Sequence, residues 1–211
     1  MTDQTLTTGR SLSEFTAQLA SAQPAPGGGG AAALAGALAA SLAAMAANVT
    51  AANPRYADRH DALATLAASC DAQRTTLLAL IDADASGFLP LQRAYAIPKD
   101  DPTRAARLAD AAHTACLAPL AMLEHCEQVA LLLPAALSTA SPLLRSDIGC
   151  AAALCSAAAE AAELNVLVNT GLLAPDDRAE TEARAARLRA TVVQCCAQTA
   201  DAVRAALRGE G

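Results

Sequence analysis

The side chains able to do chemistry fall into four places along the chain. Asp82 and Asp84 stand two residues apart in a run with helical spacing. Side chains so placed point about 200° away from each other, so they are not a paired dyad within one copy. Asp84 shares its spacing with Leu77, Ile81 and Phe88, which puts it on the edge of an apolar stripe. A carboxylate there is costly to ionise, and it is suited to accepting a proton or facing a cation. A solvated helix flank is the plain alternative. Lys99 is the single lysine among 15 basic residues and follows Ile97-Pro98. Its ammonium can steady an oxyanion or act as an acid, or be an ordinary surface charge. Asp147, Asn165 and Asn169 share one face of a helix. Asn side chains in an otherwise apolar run need partners, which suggests a polar pocket or an interhelical bond. Asp147 and Asn165 lie about 27 Å apart along that helix, so one copy cannot bring both into one small site, whereas an antiparallel two-fold partner can. Last, Pro26-Gly27-Gly28-Gly29-Gly30 stands directly before a helix. Residues without side chains let a ligand or another backbone approach, and the helix start offers free N–H groups to an anion. Close helix packing alone also explains it.

Helices must position these groups. The chain has 211 residues, 59 of them Ala, with 54% hydrophobic but only 2% aromatic residues and no Trp. That composition excludes a β-sandwich and predicts a core made by close approach of thin helices. Ser11 with Glu14 fits a capping box opening a short first helix. The glycines precede a second helix over about 30–52. Asn53-Pro54 begins a long third element running to Pro90, with Pro98 closing the region. Asp101-Pro102 repeats the start signal for a helix to about Leu133, with kinks at Pro119 and Pro134. After a break at Ser138 to Pro142 comes an Ala-rich helix over about 143–170 closed by Gly171, then a last helix from Pro175 to Arg208 closed by Gly209. The expected fold is all-α, an up-and-down bundle of about five long helices plus a short N-terminal one, over residues 11–209. Residues 1–10 are expected to be a flexible N-terminus. Shallow Ala-rich faces and few large side chains lead us to expect a two-fold dimer.

Several function classes are disfavoured. A net charge of -6 with scattered basic residues argues against nucleic acid as a partner. Seven cysteines without a visible secretory leader point to a reducing cytoplasm rather than a disulfide framework. No charge occurs between Glu14 and Arg55, but Ala and Ser dominate that run, so a buried central helix is expected rather than a membrane span. His113 with Cys116, or His125 with Cys126, lack metal-binding spacing, and no metal is expected. Cys195-Cys196 reads as packing, and no Ser or Cys stands in a triad arrangement.

Four stretches in order carry a resemblance: Ser11-Leu12-Ser13-Glu14-Phe15 with Ala25-Pro26-Gly27-Gly28-Gly29; Asp82-Ala83-Asp84-Ala85 with Phe88; Ile97-Pro98-Lys99; and Ser146-Asp147 leading to Asn165-Val166-Leu167-Val168-Asn169. Together they span nearly the whole chain, which resembles the cyclodeaminase domain of formiminotransferase-cyclodeaminase and its stand-alone relatives, the methenyltetrahydrofolate cyclohydrolases. The resemblance implies a dimeric helical bundle that handles a tetrahydrofolate derivative between helices, with no cofactor beyond that substrate. It implies catalytic roles for Asp82, Asp84, Lys99 and Asp147, and substrate binding by Pro26, Gly27, Gly28, Gly29, Gly30, Asn165 and Asn169. The expected reaction is hydrolysis of 5,10-methenyltetrahydrofolate to 10-formyltetrahydrofolate. The alternatives are formiminotetrahydrofolate cyclodeamination, with release of ammonia, and a non-catalytic folate-binding or interaction module. Two departures stand out. Gly30 occupies a position that is often Ser in relatives, so a hydroxyl contact is expected to be missing, and Gly149 replaces a larger residue. The transferase half lies outside this sequence, so channelling between fused domains is not expected.

Overall fold

The computed structural model describes residues 7–209, and all of its regular structure there is helical. One short helix, α1 (Leu12–Leu19), is followed by five long ones: α2 (Gly28–Ala51), α3 (His60–Tyr95), α4 (Arg104–Thr139), α5 (Arg145–Thr170) and α6 (Pro175–Arg208). Residues 1–6 of the expected flexible N-terminus lie outside the described residues. Thr7–Gly9 form a short 3-10 turn, and the Thr8 hydroxyl donates to Asp82 Oδ2 at 2.9 Å.

Local chemistry sets most boundaries. Ser11 caps α1 reciprocally: its Oγ accepts from Glu14 N at 3.2 Å, and its own N–H donates to Glu14 Oε2 at 2.8 Å. The Ser11 hydroxyl, donating to Glu14 Oε2 at 2.7 Å, together with the Ser11 N–H, holds the Glu14 carboxyl below its ordinary value. At the far end, Gly209 closes α6 in the left-handed conformation at φ 74°, open to glycine at little cost. Two expectations need correction. Asn53 does cap a helical start, its Oδ1 accepting from Arg55 N at 3.0 Å, but the first segment is a 3-10 helix over Pro54–Arg59, distorted at Tyr56, before α3 begins. Nor do the prolines end their helices where expected: α3 continues past Pro90 to Tyr95, and α4 past Leu133 and Pro134 to Thr139. Tertiary burial of Leu91 and Ala94 against α4 stabilises the turn that Pro90 weakens.

The helices run alternately up and down, so the start of α2, the end of α3, the start of α4, the end of α5 and the start of α6 meet at one end of the bundle. α2 is the central helix. Its buried face is almost wholly Ala, and it packs on α3, α5 and α4. The approach is so close that a Cβ on Gly36 would lie 3.1 Å from Cys126 Sγ and 3.3 Å from both Leu77 methyl carbons. Small side chains thus do here what large ones do elsewhere, letting backbones come near enough for dispersion contact. By length and composition α2, α4 and the 142–170 segment could each cross a membrane; in the bundle more than half of the apolar window of α2 is buried inside the protein.

Three polar ties hold the helix ends. Thr50 Oγ1 on α2 accepts from Ser141 N at 2.9 Å, linking α2 to the α4–α5 junction. Arg104 Nε donates to Ile97 O at 2.9 Å across the α3–α4 turn. Thr170 Oγ1 donates to Glu182 Oε1 at 2.6 Å and Arg178 Nε donates to the same oxygen at 2.8 Å, joining the end of α5 to α6. All seven cysteines are free thiols. Gly149 has a packing reason: a Cβ there would meet Val203 Cγ1 at 3.0 Å, where α5 crosses α6.

Candidate active site

At the end of the bundle where α2 starts, a cleft of about 250 Å3 opens between the glycine loop, α3 and α5. The glycine run supplies part of its wall, and α2 starts inside that run at Gly28, two residues earlier than its composition suggests. With no side chain at Gly29, the Asp84 carboxylate seats directly against the first turn of α2, where a Cβ on Gly29 would overlap it. Burial pushes the Asp84 carboxyl above its ordinary value. The helix start facing it works the other way, since N–H groups there favour negative charge. Among the described residues Asp84 is the one formally charged residue lining the cleft.

On the opposite wall, Asn165 and Asn169 sit one turn apart on α5. Asn165 Nδ2 donates to Ala161 O at 2.8 Å and Asn169 Nδ2 to Asn165 O at 2.9 Å. Each amide thus gives one N–H to the preceding turn, which leaves its oxygen as an acceptor and its second N–H as a donor for a ligand. Gly28 makes room for the first of them: its Cβ would come within 3.1 Å of Asn165 Nδ2.

The remaining sequence candidates lie elsewhere. Gly27 lines the cleft with Gly28 and Gly29, but Pro26 and Gly30 are buried behind it, a Cβ on Gly30 falling 3.1 Å from Pro26 Cβ and 3.6 Å from Ile81 Cγ2. Asp82 points to the neighbouring side of α3 and accepts from Thr8, as the 200° separation from Asp84 requires. Lys99 is exposed past the end of α3, bordering a second groove with Arg104 and Leu172. Asp147 is in the first turn of α5, at the other end of the bundle from Asn165.

Sequence reasoning did not single out Tyr95, nor Leu91 and Val168, which also line the cleft. A signal for Tyr95 existed. The chain has two Phe and two Tyr, and Phe88 and Tyr95 are spaced seven apart, two helical turns on one face. Half of the chain's aromatic residues thus border one cleft, both of them part-exposed at 37% and 52%. Among the described residues no three His, Cys, Asp or Glu side chains are grouped to hold a metal ion.

The model of the family described as formiminotransferase-cyclodeaminase matches residues 11–203. The chain belongs to the formiminotransferase-cyclodeaminase family. Within it, the chain is 34% identical over 187 residues to a methenyltetrahydrofolate cyclohydrolase of Methylorubrum extorquens, an alignment covering 87% of this chain and 89% of that one. It is 33% identical over 165 residues to a formimidoyltransferase-cyclodeaminase of Sus scrofa, covering 75% of this chain but 30% of the longer pig protein. The crystal structure of a formiminotetrahydrofolate cyclodeaminase from Thermotoga maritima superposes with a TM-score of 0.83 at 26% identity, covering 95% of this chain and 96% of that one. The helical bundle is therefore this family's fold.

Proposed function

We propose that the chain is an enzyme of folate one-carbon metabolism that hydrolyses 5,10-methenyltetrahydrofolate to 10-formyltetrahydrofolate. The observation that carries this reading is the cleft's charge pattern. A single half-buried carboxylate, Asp84, faces a cavity whose other described lining residues are uncharged and which Phe88 and Tyr95 border. Such a site suits a flat ring system with a positive charge at its reacting carbon. The similarity to the Methylorubrum cyclohydrolase over most of both chains supports it.

In this reaction a water oxygen bonds to the methenyl carbon and a proton leaves the water for Asp84. The bond from that carbon to N5 then breaks as Asp84 returns its proton to N5 and the remaining hydroxyl proton is released to solvent, leaving the formyl group on N10. A carboxylate held above its ordinary pKa is better matched to both transfers than an ordinary one. Before the attack, the same negative charge stabilises the cation. The Asn165 and Asn169 amide oxygens accept N–H groups at the pterin edge, and the open backbone of Gly27, Gly28 and Gly29 admits the ring. No group besides the folate is needed for this chemistry.

The Thermotoga structure and the pig relative favour a second reading, cyclodeamination. There N10 attacks the amidine carbon of the formimino group, its proton passing to the imino nitrogen, and a protonated Asp84 supplies the second proton with which that nitrogen leaves as ammonia. The non-catalytic alternative rested on Gly30, whose missing side chain points at Pro26 and Ile81 rather than into the cleft.

We assign Asp147 to the same site only through a second copy. Leu38, Met45 and Val49 on α2 and Leu164 and Val168 on α5 are exposed, giving the bundle an apolar outer face. A two-fold partner with antiparallel α5 helices covers that face and sets Asp147 of the second copy near the Asn165 end. Seven unpaired thiols suit a reducing cytoplasm.

The test offers purified protein 5,10-methenyl- and 5-formiminotetrahydrofolate separately and follows the near-ultraviolet absorbance of the methenyl ring. Accelerated loss over the buffer rate supports the hydrolase, and an enzyme-dependent rise from the formimino compound supports the cyclodeaminase. Neither change in folded protein would refute both.

A further inference from the structure

The cleft around Asp84 has a neighbouring concavity beyond Tyr95. Leu91 and Ala115 line it, and both belong to one apolar cluster with Leu108, against which Leu172 packs. Leu108 and Leu172 in turn border a second groove of about 350 Å3 further toward the tip of the bundle. The two concavities share no lining residue, but residues of this one cluster reach the walls of both along the α3–α4–α5 seam. From Ala115 to Arg104 along α4 is about 16 Å at the helical rise.

Their electrostatics are opposite. The inner cleft has Asp84 as its one charge. The outer groove is bordered by Lys99 and Arg104 with a single acid, Asp101. The Asp101 carboxylate is already engaged, accepting from Thr103 N at 2.8 Å and from Thr103 Oγ1 at 2.7 Å, which holds it below its ordinary value. Arg104 is anchored through Nε on Ile97 O, so its terminal nitrogens remain to meet a ligand. The Lys99 ammonium lies at the same rim, exposed, and no described carboxylate pairs with it.

We propose that Lys99 and Arg104 form the subsite for the glutamyl carboxylates of the folate substrate, while Asp84 meets its one-carbon end. This deepens the functional reading above and rests on it. A tetrahydrofolate with a cationic methenyl carbon is positive at one end and negative at the other, and the cleft and the outer groove, taken in order along the seam, match that polarity. Among the described residues no cation lines the inner cleft, and Arg93 and Arg107 border a separate groove on the α3–α4 face that α5 does not line. Lys99 is then a specificity residue for the tail, with no proton transfer to perform. Each further γ-linked glutamate brings another carboxylate to the same rim.

The experiment compares wild type, Lys99→Ala, Lys99→Arg and Lys99→Glu on 5,10-methenyltetrahydrofolate as the monoglutamate, as the triglutamate, and as the pteroate form with no glutamate. Lys99→Ala should raise KM about two- to fivefold for the glutamylated substrates, the range of an exposed ion pair, with the larger change for the triglutamate. The kcat should hold, Lys99→Arg should restore KM, and Lys99→Glu should raise it further. Wild type and Lys99→Ala should be alike on the pteroate form. Added salt should raise the wild-type KM for the triglutamate most. A loss of kcat at constant KM, or an equal loss on the pteroate form, would overturn the assignment by giving Lys99 a role in the chemistry. Wild-type protein that turns over neither folate refutes the functional reading and this subsite with it. Turnover with an unchanged KM in Lys99→Ala refutes the subsite alone.

Discussion

Gly29→Ala separates catalytic geometry from stability. A Cβ at this position would lie well inside 3.0 Å of the Asp84 carboxylate, whereas ordinary contact begins at 3.4 Å. The obstacle is the far end of a two-torsion side chain rather than backbone, so Asp84 can swing away at small cost. The displacement needed is about 1 Å, and a misplacement of that size lowers rate about 10²-fold. Stability should move little or even improve, because Ala in place of Gly within a helix contributes up to about 1 kcal/mol. For a chain of this size that corresponds to about 2–4 °C in Tm. Gly87→Ala is the matched control: it lies three residues beyond Asp84 on α3, and its Cβ would sit at an ordinary 3.5 Å from Thr114 O. The assay is initial loss of methenyl absorbance, with thermal melts by circular dichroism on the same samples. The expected result is an approximately hundredfold fall in kcat/KM for Gly29→Ala at near-constant Tm, with Gly87→Ala active and slightly more stable. Wild-type activity in Gly29→Ala would refute the reasoning, since the carboxylate could then not be required where the glycine permits it. Parallel losses in both variants would refute it equally.

Three further outcomes follow from the same geometry. Because burial raises the Asp84 carboxyl, kcat/KM should fall as pH drops through that raised value, at higher pH than for an ordinary carboxylate, and Asp84→Asn should be nearly inactive with the limb gone. The native state also holds this proton to higher pH than the unfolded chain, so wild-type stability falls as pH rises through the window, and Asp84→Asn should be the more stable protein at neutral pH, checked by urea melts across pH. Gly36→Val should lose about 1–3 kcal/mol in urea denaturation, since Cys126 and Leu77 leave no room for added methyls. Cys150 is the most exposed cysteine and lies on α5; it should react first with a thiol reagent in dilute protein and be protected as concentration rises, unless the proposed pairing through α5 is wrong.

Much of this protein was legible without coordinates, because its signals are local. Ser11 with Glu14, Asn53 with Pro54, and Gly209 announce chain reversals or starts through their own backbone chemistry, and Ala dominance with four aromatic residues leaves helices as the available architecture. Helical periodicity alone separated Asp82 from Asp84 and put the latter on an apolar edge. The failures are of one kind. Pro90 carries a breaking signal that packing of Leu91 and Ala94 overrides, and the first turn after Pro54 becomes 3-10. Neither result is encoded within a window of a few residues.

The site divides along the same line. Periodicity placed Asn165 beside Asn169, and the glycine run declared an open backbone, but nothing in the linear order says that Gly29 meets Asp84 or that Gly28 meets Asn165. Those contacts depend on how closely α2 approaches α3 and α5, a distance set by the summed packing of many Ala side chains. The same packing turned Pro26 and Gly30 inward, left Asp147 at the opposite end of α5, and set Lys99 on a rim beyond the cleft. Sequence by itself determined which residues have suitable chemistry and which helix carries each, because those are short-range properties of the backbone. Which of them share one cavity was decided only by tertiary structure, because side-chain encounters between helices depend on interaxial distance and end alignment.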